Sequence, residues 1–139
     1  MIIVDTGAMI ALIDRKDPHH HTLVAAYEAH AHEWVLPWAI LPEVDYLLGA
    51  HVSAASQDAF LADLSDAEYA VEWGEEADLT DALRITRQYK ALRLGLVDAI
   101  VMAVAARLRA AAIATLDVRH FGAVKIAGSP QIWPRDLAR

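Results

Sequence analysis

Apolar positions along the chain fall in short blocks that alternate between a strand-like and a helix-like spacing. Ile2-Ile3-Val4 is a β-branched run that reads as a buried strand, and it ends at Asp5-Thr6-Gly7. Ala8–Ile13 continues apolar until Asp14–Pro18 breaks it. The pattern predicts a helix over 19–30 after a turn at Asp17-Pro18, a strand over 34–36 closed by Pro37, and a helix over 40–48 ended by Gly49. Ser53 or Ser56 suits the N-cap of a helix running to about Leu64, and Tyr69–Glu72 alternates as a strand. Glu75–Tyr89 is amphipathic, with acids in its first turn and Arg87 and Lys90 at its end, the order that the helix dipole favours. An alanine-rich helix over 96–109, a strand over 113–116 and a short final strand over 124–127 complete the reading. Strands alternating with helices imply a mainly parallel sheet covered on both faces, a three-layer α/β/α domain.

Composition narrows the class. A chain of 139 residues, 56% hydrophobic and 22% charged, is one ordered domain spanning 1–139. It has no cysteine, which excludes disulfides, thiolate metal sites and cysteine nucleophiles and suits a reducing cytoplasm. Met1-Ile2-Ile3-Val4-Asp5 lacks a basic leader, and the longest uncharged apolar run, Ala99 to Ala106, is far short of the ~18 residues of a membrane span. A cytoplasmic protein without membrane contact is expected.

Charge is unevenly placed. Residues 1–83 hold 16 acids and two bases, a net of −14. Residues 84–139 hold ten bases, Arg139 among them, and three acids, a net of +7. The asymmetry suggests a polyanion-facing region on a protein whose total charge is −7, although solvated helix faces give the same signal.

Four acids stand where a solvated charge is not expected. Asp5 and Asp117 each follow an apolar strand at its carboxyl end, where open α/β sheets form their ligand crevices. Asp98 shares a helix stripe with Val101, Met102 and Ala105, and Glu43 shares one with Ile40 and Leu47. Asp45 has equally apolar neighbours in Leu41 and Leu48, so periodicity does not separate it from Glu43. Ordinary roles exist for each: Asp5 and Asp98 as helix caps, Asp117 as a turn residue. As a set, however, they lack buried bases to pair with, and an unpaired buried carboxylate is costly. Carboxylate clusters without histidine or cysteine ligands suit Mg²⁺ or Mn²⁺, ions that commonly serve phosphodiester cleavage.

Four segments, Val4-Asp5-Thr6-Gly7-Ala8, Leu41-Pro42-Glu43-Val44, Leu96-Val97-Asp98-Ala99-Ile100 and Thr115-Leu116-Asp117-Val118-Arg119-His120-Phe121, resemble in order and spacing the PIN-domain nucleases. More narrowly they resemble the VapC toxins of type II toxin–antitoxin systems. The resemblance selects Glu43 over Asp45. It implies that Asp5, Glu43, Asp98 and Asp117 form one metal-binding catalytic crevice in a Mg²⁺-dependent endoribonuclease, with Mn²⁺ as a substitute. It implies hydrolysis by water that leaves a 5′-phosphate and a 3′-hydroxyl. A VapB-like antitoxin, an RNA substrate such as a tRNA or rRNA, and a homodimer are the partners it implies.

Around that crevice, Thr6 and Thr115 are candidate supporting or substrate-contacting hydroxyls, and Arg119 and His120 candidates for contact with the RNA backbone. Arg87, Lys90 and Arg119 are the candidate RNA-binding cations. His19-His20-His21 does not make a zinc site, because three adjacent side chains on a helix point in three directions. The four tryptophans lie beside apolar residues and read as packing groups. No G-x-x-x-x-G-K-[ST] or G-x-G-x-x-G motif is present, which disfavours a phosphate-cradling nucleotide enzyme. The residues alone leave open a non-catalytic metal- or RNA-binding scaffold, a DNA nuclease and a phosphatase.

Overall fold

The computed structural model describes residues 1–137, so Arg139 of the basic half lies outside the described residues. Five strands form one sheet: β1 (Ile2–Val4), β2 (Trp34–Pro37), β3 (Ala70–Glu72), β4 (Ala112–Ala114) and β5 (Gln131–Trp133), in the order β3-β2-β1-β4-β5. Every neighbouring pair is parallel, with Ile3 opposite Val35 on one side and Ile113 on the other. Seven helices connect the strands: α1 (Thr6–Ile13), α2 (His20–Ala29), α3 (Leu41–His51), α4 (Ala54–Ser65), α5 (Glu76–Gln88), α6 (Leu96–Arg107) and α7 (Val118–Phe121).

Successive strand residues face opposite sides of a sheet. All three residues of β1 and of β4 are buried, so the central strands are covered on both faces, as the three-layer expectation requires. α6 supplies much of that cover. Ala99 to Ala105 are buried without interruption, and the helix packs on β1 and β2 and against α5. Its small residues let it sit deep in the domain, with apolar side chains on nearly its whole circumference.

Three local expectations change. Gly49 does not end α3, which continues to His51. Gly49 lies against the end of the Gln57 side chain from α4, where an added Cβ would fall 2.7 Å from Oε1. Val124–Ala127 is not a strand: Val124 and Ile126 are buried, but the Lys125 N–H donates to the Tyr89 hydroxyl (3.1 Å) rather than to a ladder. The fifth strand is Gln131–Trp133, three residues framed by Pro130 and Pro134 and too short to show a period. Finally, Val118–Phe121 forms a helical turn that the sequence reading did not contain. Ser53 is the cap of α4, accepting from the Ser56 N–H (3.0 Å).

Candidate active site

Chain order reverses across the sheet between β1 and β4: β1 continues toward β2 on one side, while β4 returns to its other side. Such a switch point opens a crevice at the carboxyl ends of the two strands. Asp5 follows β1 there and Thr115 follows β4.

Asp5 occupies the cap position of α1, but its side chain makes no capping bond. It accepts the Thr115 hydroxyl instead (2.9 Å). The Thr115 oxygen in turn accepts the Asp117 N–H (3.0 Å), so one fully buried threonine fixes both aspartates. Asp117, read from the sequence as a turn residue, instead caps α7, with one carboxylate oxygen accepting the His120 N–H (3.1 Å). Its other oxygen lies 2.9 Å from His120 Nδ1, and Asp98, in the first turn of α6, approaches the same nitrogen at 3.4 Å. One ligand atom from each of Asp98, Asp117 and His120 falls within 4.8 Å of the others.

Glu43 lies in the first turn of α3 and is exposed, not shared with the apolar face that the periodicity implied. It is nevertheless coupled by charge to both Asp5 and Asp98. Asp45 faces elsewhere and accepts from the Gln57 side chain at 3.2 Å. Here the structure separates two acids that periodicity left equivalent.

Electrostatics mark the crevice as unbalanced. Burial pushes the Asp5 carboxyl up to about 6, against the lowering effect of the Thr115 hydroxyl and the Thr6 N–H, and the charges of Asp98 and Glu43 push further. Asp98 is also raised, by burial first and then by Asp117, with His120 offsetting part of the effect. In the crevice, Thr6 Oγ1 and His120 Nδ1 are buried and have no aligned hydrogen-bond partner among the described residues; the Nδ1 contact with Asp117 is short but out of line. Raised carboxylates around an unsatisfied imidazole nitrogen fit a divalent cation, and oxygen donors outnumber the single nitrogen, as Mg²⁺ or Mn²⁺ prefers.

His120 therefore belongs nearer the centre than its sequence reading placed it. The available signal was its position three residues after a capping aspartate, which turns both side chains to one side of a helical turn. Arg119 is exposed on α7, and Arg87 and Lys90 are exposed at the end of α5. No ion pair holds any of the three among the described residues.

A five-stranded parallel sheet with acids converging at its switch point defines a nuclease-like α/β domain, and residues 2–126 match the family model of the PIN domain. The chain belongs to that family. Among its relatives is Ribonuclease VapC26 of Mycobacterium tuberculosis, 31% identical over 127 residues, which cover 91% of this chain and 94% of the relative. Among solved structures, VapC20 of M. tuberculosis, described as a sarcin-ricin loop cleaving toxin, superposes with a TM-score of 0.81 at 20% identity, over 92% of this chain and 98% of that one. A toxin–antitoxin complex from Klebsiella pneumoniae gives 0.70 at 18% identity, over 89% and 92%. Among the described residues no helix is long and apolar enough to cross a membrane.

Proposed function

We propose that this protein is a divalent-metal-dependent endoribonuclease of the VapC kind, the toxin of a toxin–antitoxin pair, acting in the cytoplasm as a homodimer until its antitoxin covers it. The observation that carries the catalytic part is the convergence of Asp5, Asp98 and Asp117 at the switch point, with no lysine or arginine among the described residues to balance them. The relatives support RNA as substrate and an antitoxin as partner.

Asp5, Asp98 and Asp117 would hold the cation, with His120 beside them, and we assign Mg²⁺ as the resident ion with Mn²⁺ able to replace it. Bound there, the ion supplies Lewis acidity and a water of lowered pKa. The protein's own groups orient and move protons. Thr115 ties the Asp5 carboxylate to the Asp117 backbone N–H through its single hydroxyl. Glu43, exposed and sensing both Asp5 and Asp98, is the group we assign to take the proton from the attacking water. Thr6 offers a buried unpartnered hydroxyl at the start of α1, suited to a phosphate oxygen. Because water is the nucleophile, the RNA 2′-hydroxyl takes no part, and the products carry a 5′-phosphate and a 3′-hydroxyl.

Incubation with total cellular RNA and Mg²⁺, followed by mapping of the cut ends, tests this reading. Discrete fragments with 5′-phosphates that vanish under EDTA are expected; 2′,3′-cyclic phosphate ends or cutting that persists in EDTA would overturn it.

A further inference from the structure

The acidic crevice has to admit a polyanion, and the structure removes several of the bases that the sequence offers for this. Arg107 is spent on Glu72, Asp78 and Glu75, and Arg84 leans on Asp81. What stands out instead is an open pocket of about 170 Å³ that begins where α7 ends, lined by Phe121, Gly122, Lys125, Ser129 and Arg135 among others. α7 is thus shared: Asp117 and His120 serve the crevice, and the next two residues line the pocket.

The cations of this pocket are presented in different ways. Arg135 is held by Asp136 through Nε (2.7 Å) and Nη2 (2.9 Å), and Asp136 is anchored by the Ile132 N–H (2.7 Å). Arg135 keeps that carboxyl down at about 2, helped by the same N–H, so the pair stays ionised at any working pH. Among the described residues Nη1 has no acceptor. It lies where residue 122 has no side chain, because a Cβ on Gly122 would sit 3.1 Å from it. Lys125 is exposed, and its backbone is tied to the Tyr89 hydroxyl (3.1 Å), which brings the end of α5 and Lys90 to the same edge of the molecule. Exposed Ser129 adds a hydroxyl.

We infer that this pocket is a phosphate subsite: it takes a backbone phosphate of the RNA a short distance from the scissile bond, with Lys125, Arg135 Nη1 and Ser129 as its donors. The inference rests on the nuclease reading above and adds a second contact point for the strand. It separates two jobs that one acidic crevice performs poorly, attracting a cation and attracting a polyanion. Phosphate contacts of this kind fix the position of the strand without reading its sequence.

The test uses the full chain and two probes. A fluorescently labelled single-stranded oligoribonucleotide, in EDTA to prevent cutting, reports affinity across salt from about 50 to 200 mM. Bis(p-nitrophenyl) phosphate with Mg²⁺ reports the metal site alone, since it is too small to span both sites. Lys125→Ala and Lys125→Glu, in an exposed loop, and Arg135→Gln are the variants, each checked by circular dichroism. Lys125→Ala combined with Arg135→Gln is expected to weaken RNA binding about tenfold and to flatten the log–log salt slope by roughly 0.7 to 1.4, with hydrolysis of the small diester unchanged. RNA affinity and slope unchanged in that double variant and in Lys125→Glu, with diester hydrolysis intact, would overturn the subsite and leave the nuclease reading standing. So would a loss of antitoxin binding alone, which would make the pocket a protein contact. If the unsubstituted protein cleaves neither the diester nor RNA, the nuclease reading fails and the subsite falls with it.

Discussion

Asp5 and Asp78 are both aspartates in the opening of a helix, and both are nearly inaccessible, at 6% and 2% exposure. Their surroundings push them in opposite directions. Burial alone would raise Asp78, but the Arg107 guanidinium and the Glu75 N–H hold it below the usual carboxylate range. Arg107 bonds it through Nε (2.8 Å) and Nη2 (3.0 Å), reaches Glu72 at 2.8 Å and approaches Glu75 at 3.5 Å. That planar fork satisfies three acids at once and joins β3, α5 and α6. Around Asp5 the neighbours are Asp98 and Glu43, and beyond them Asp117; the nearest basic group named in the crevice is an imidazole. One cluster is complete, and the other has no lysine or arginine partner among the described residues. The contrast supports the proposal that the second cluster is kept for a cation from solution.

The largest effect should come from removing one carboxylate of the incomplete cluster. Asp98→Asn is expected to lower RNA cleavage at least about a thousandfold, roughly 4 kcal/mol of transition-state stabilisation, with an unchanged circular dichroism spectrum. Full activity would detach the crevice from catalysis.

Removing the cation of the complete cluster acts on the fold instead. Arg107→Ala leaves Asp78 buried with only the Glu75 N–H and no charge partner, and should cost about 3–5 kcal/mol in urea unfolding. A loss within about 0.5 kcal/mol would mean that the two clusters do not differ as described.

Asp5→Asn should do the reverse in metal-free protein. The folded Asp5 holds its proton up to about pH 6, whereas an ordinary aspartate releases it near 3.8. A raised acid therefore contributes fully below about pH 4 and loses its contribution as pH climbs toward 6. In EDTA the native chain should lose about 1–3 kcal/mol across that window relative to the asparagine variant, and the difference should level off above pH 7. Parallel pH profiles for the two proteins would contradict the assignment. The smallest effects belong to the exposed cations: Arg87→Ala, Lys90→Ala and Arg119→Ala should each weaken RNA binding a few-fold and reduce the salt slope by about 0.7, with metal affinity little changed. Equal slopes in all four proteins would remove these side chains from the RNA path.

Much of the incomplete cluster was legible because its acids interrupt apolar patterns: Asp5 directly follows β1, Asp117 closes the mostly apolar run that contains β4, and Asp98 sits in the stripe of an alanine-rich helix. The complete cluster was not. Asp78 lies within Glu75, Glu76 and Asp81, which together look like a solvated first turn, and Arg107 meets it across 29 residues of chain. Periodicity carries no information about such a pairing. For the same reason Arg107 counted as a cation of the basic half when it is spent inside the fold. Helix spacing offered Glu43 and Asp45 equally apolar neighbours, so the family resemblance parted them, and the three-dimensional arrangement parts them again. β5 escaped because three residues between prolines show neither period, while Val124 and Ile126 imitate a strand by burying alternate side chains without pairing.

Calorimetric titration of the full chain with Mn²⁺ near pH 6 tests the missing cation most directly. The account predicts saturable binding accompanied by proton release, because Asp5 is partly protonated there and must ionise to ligate, and it predicts loss of that binding in Asp98→Asn. Absence of binding, or equal binding in Asp98→Asn, would contradict it.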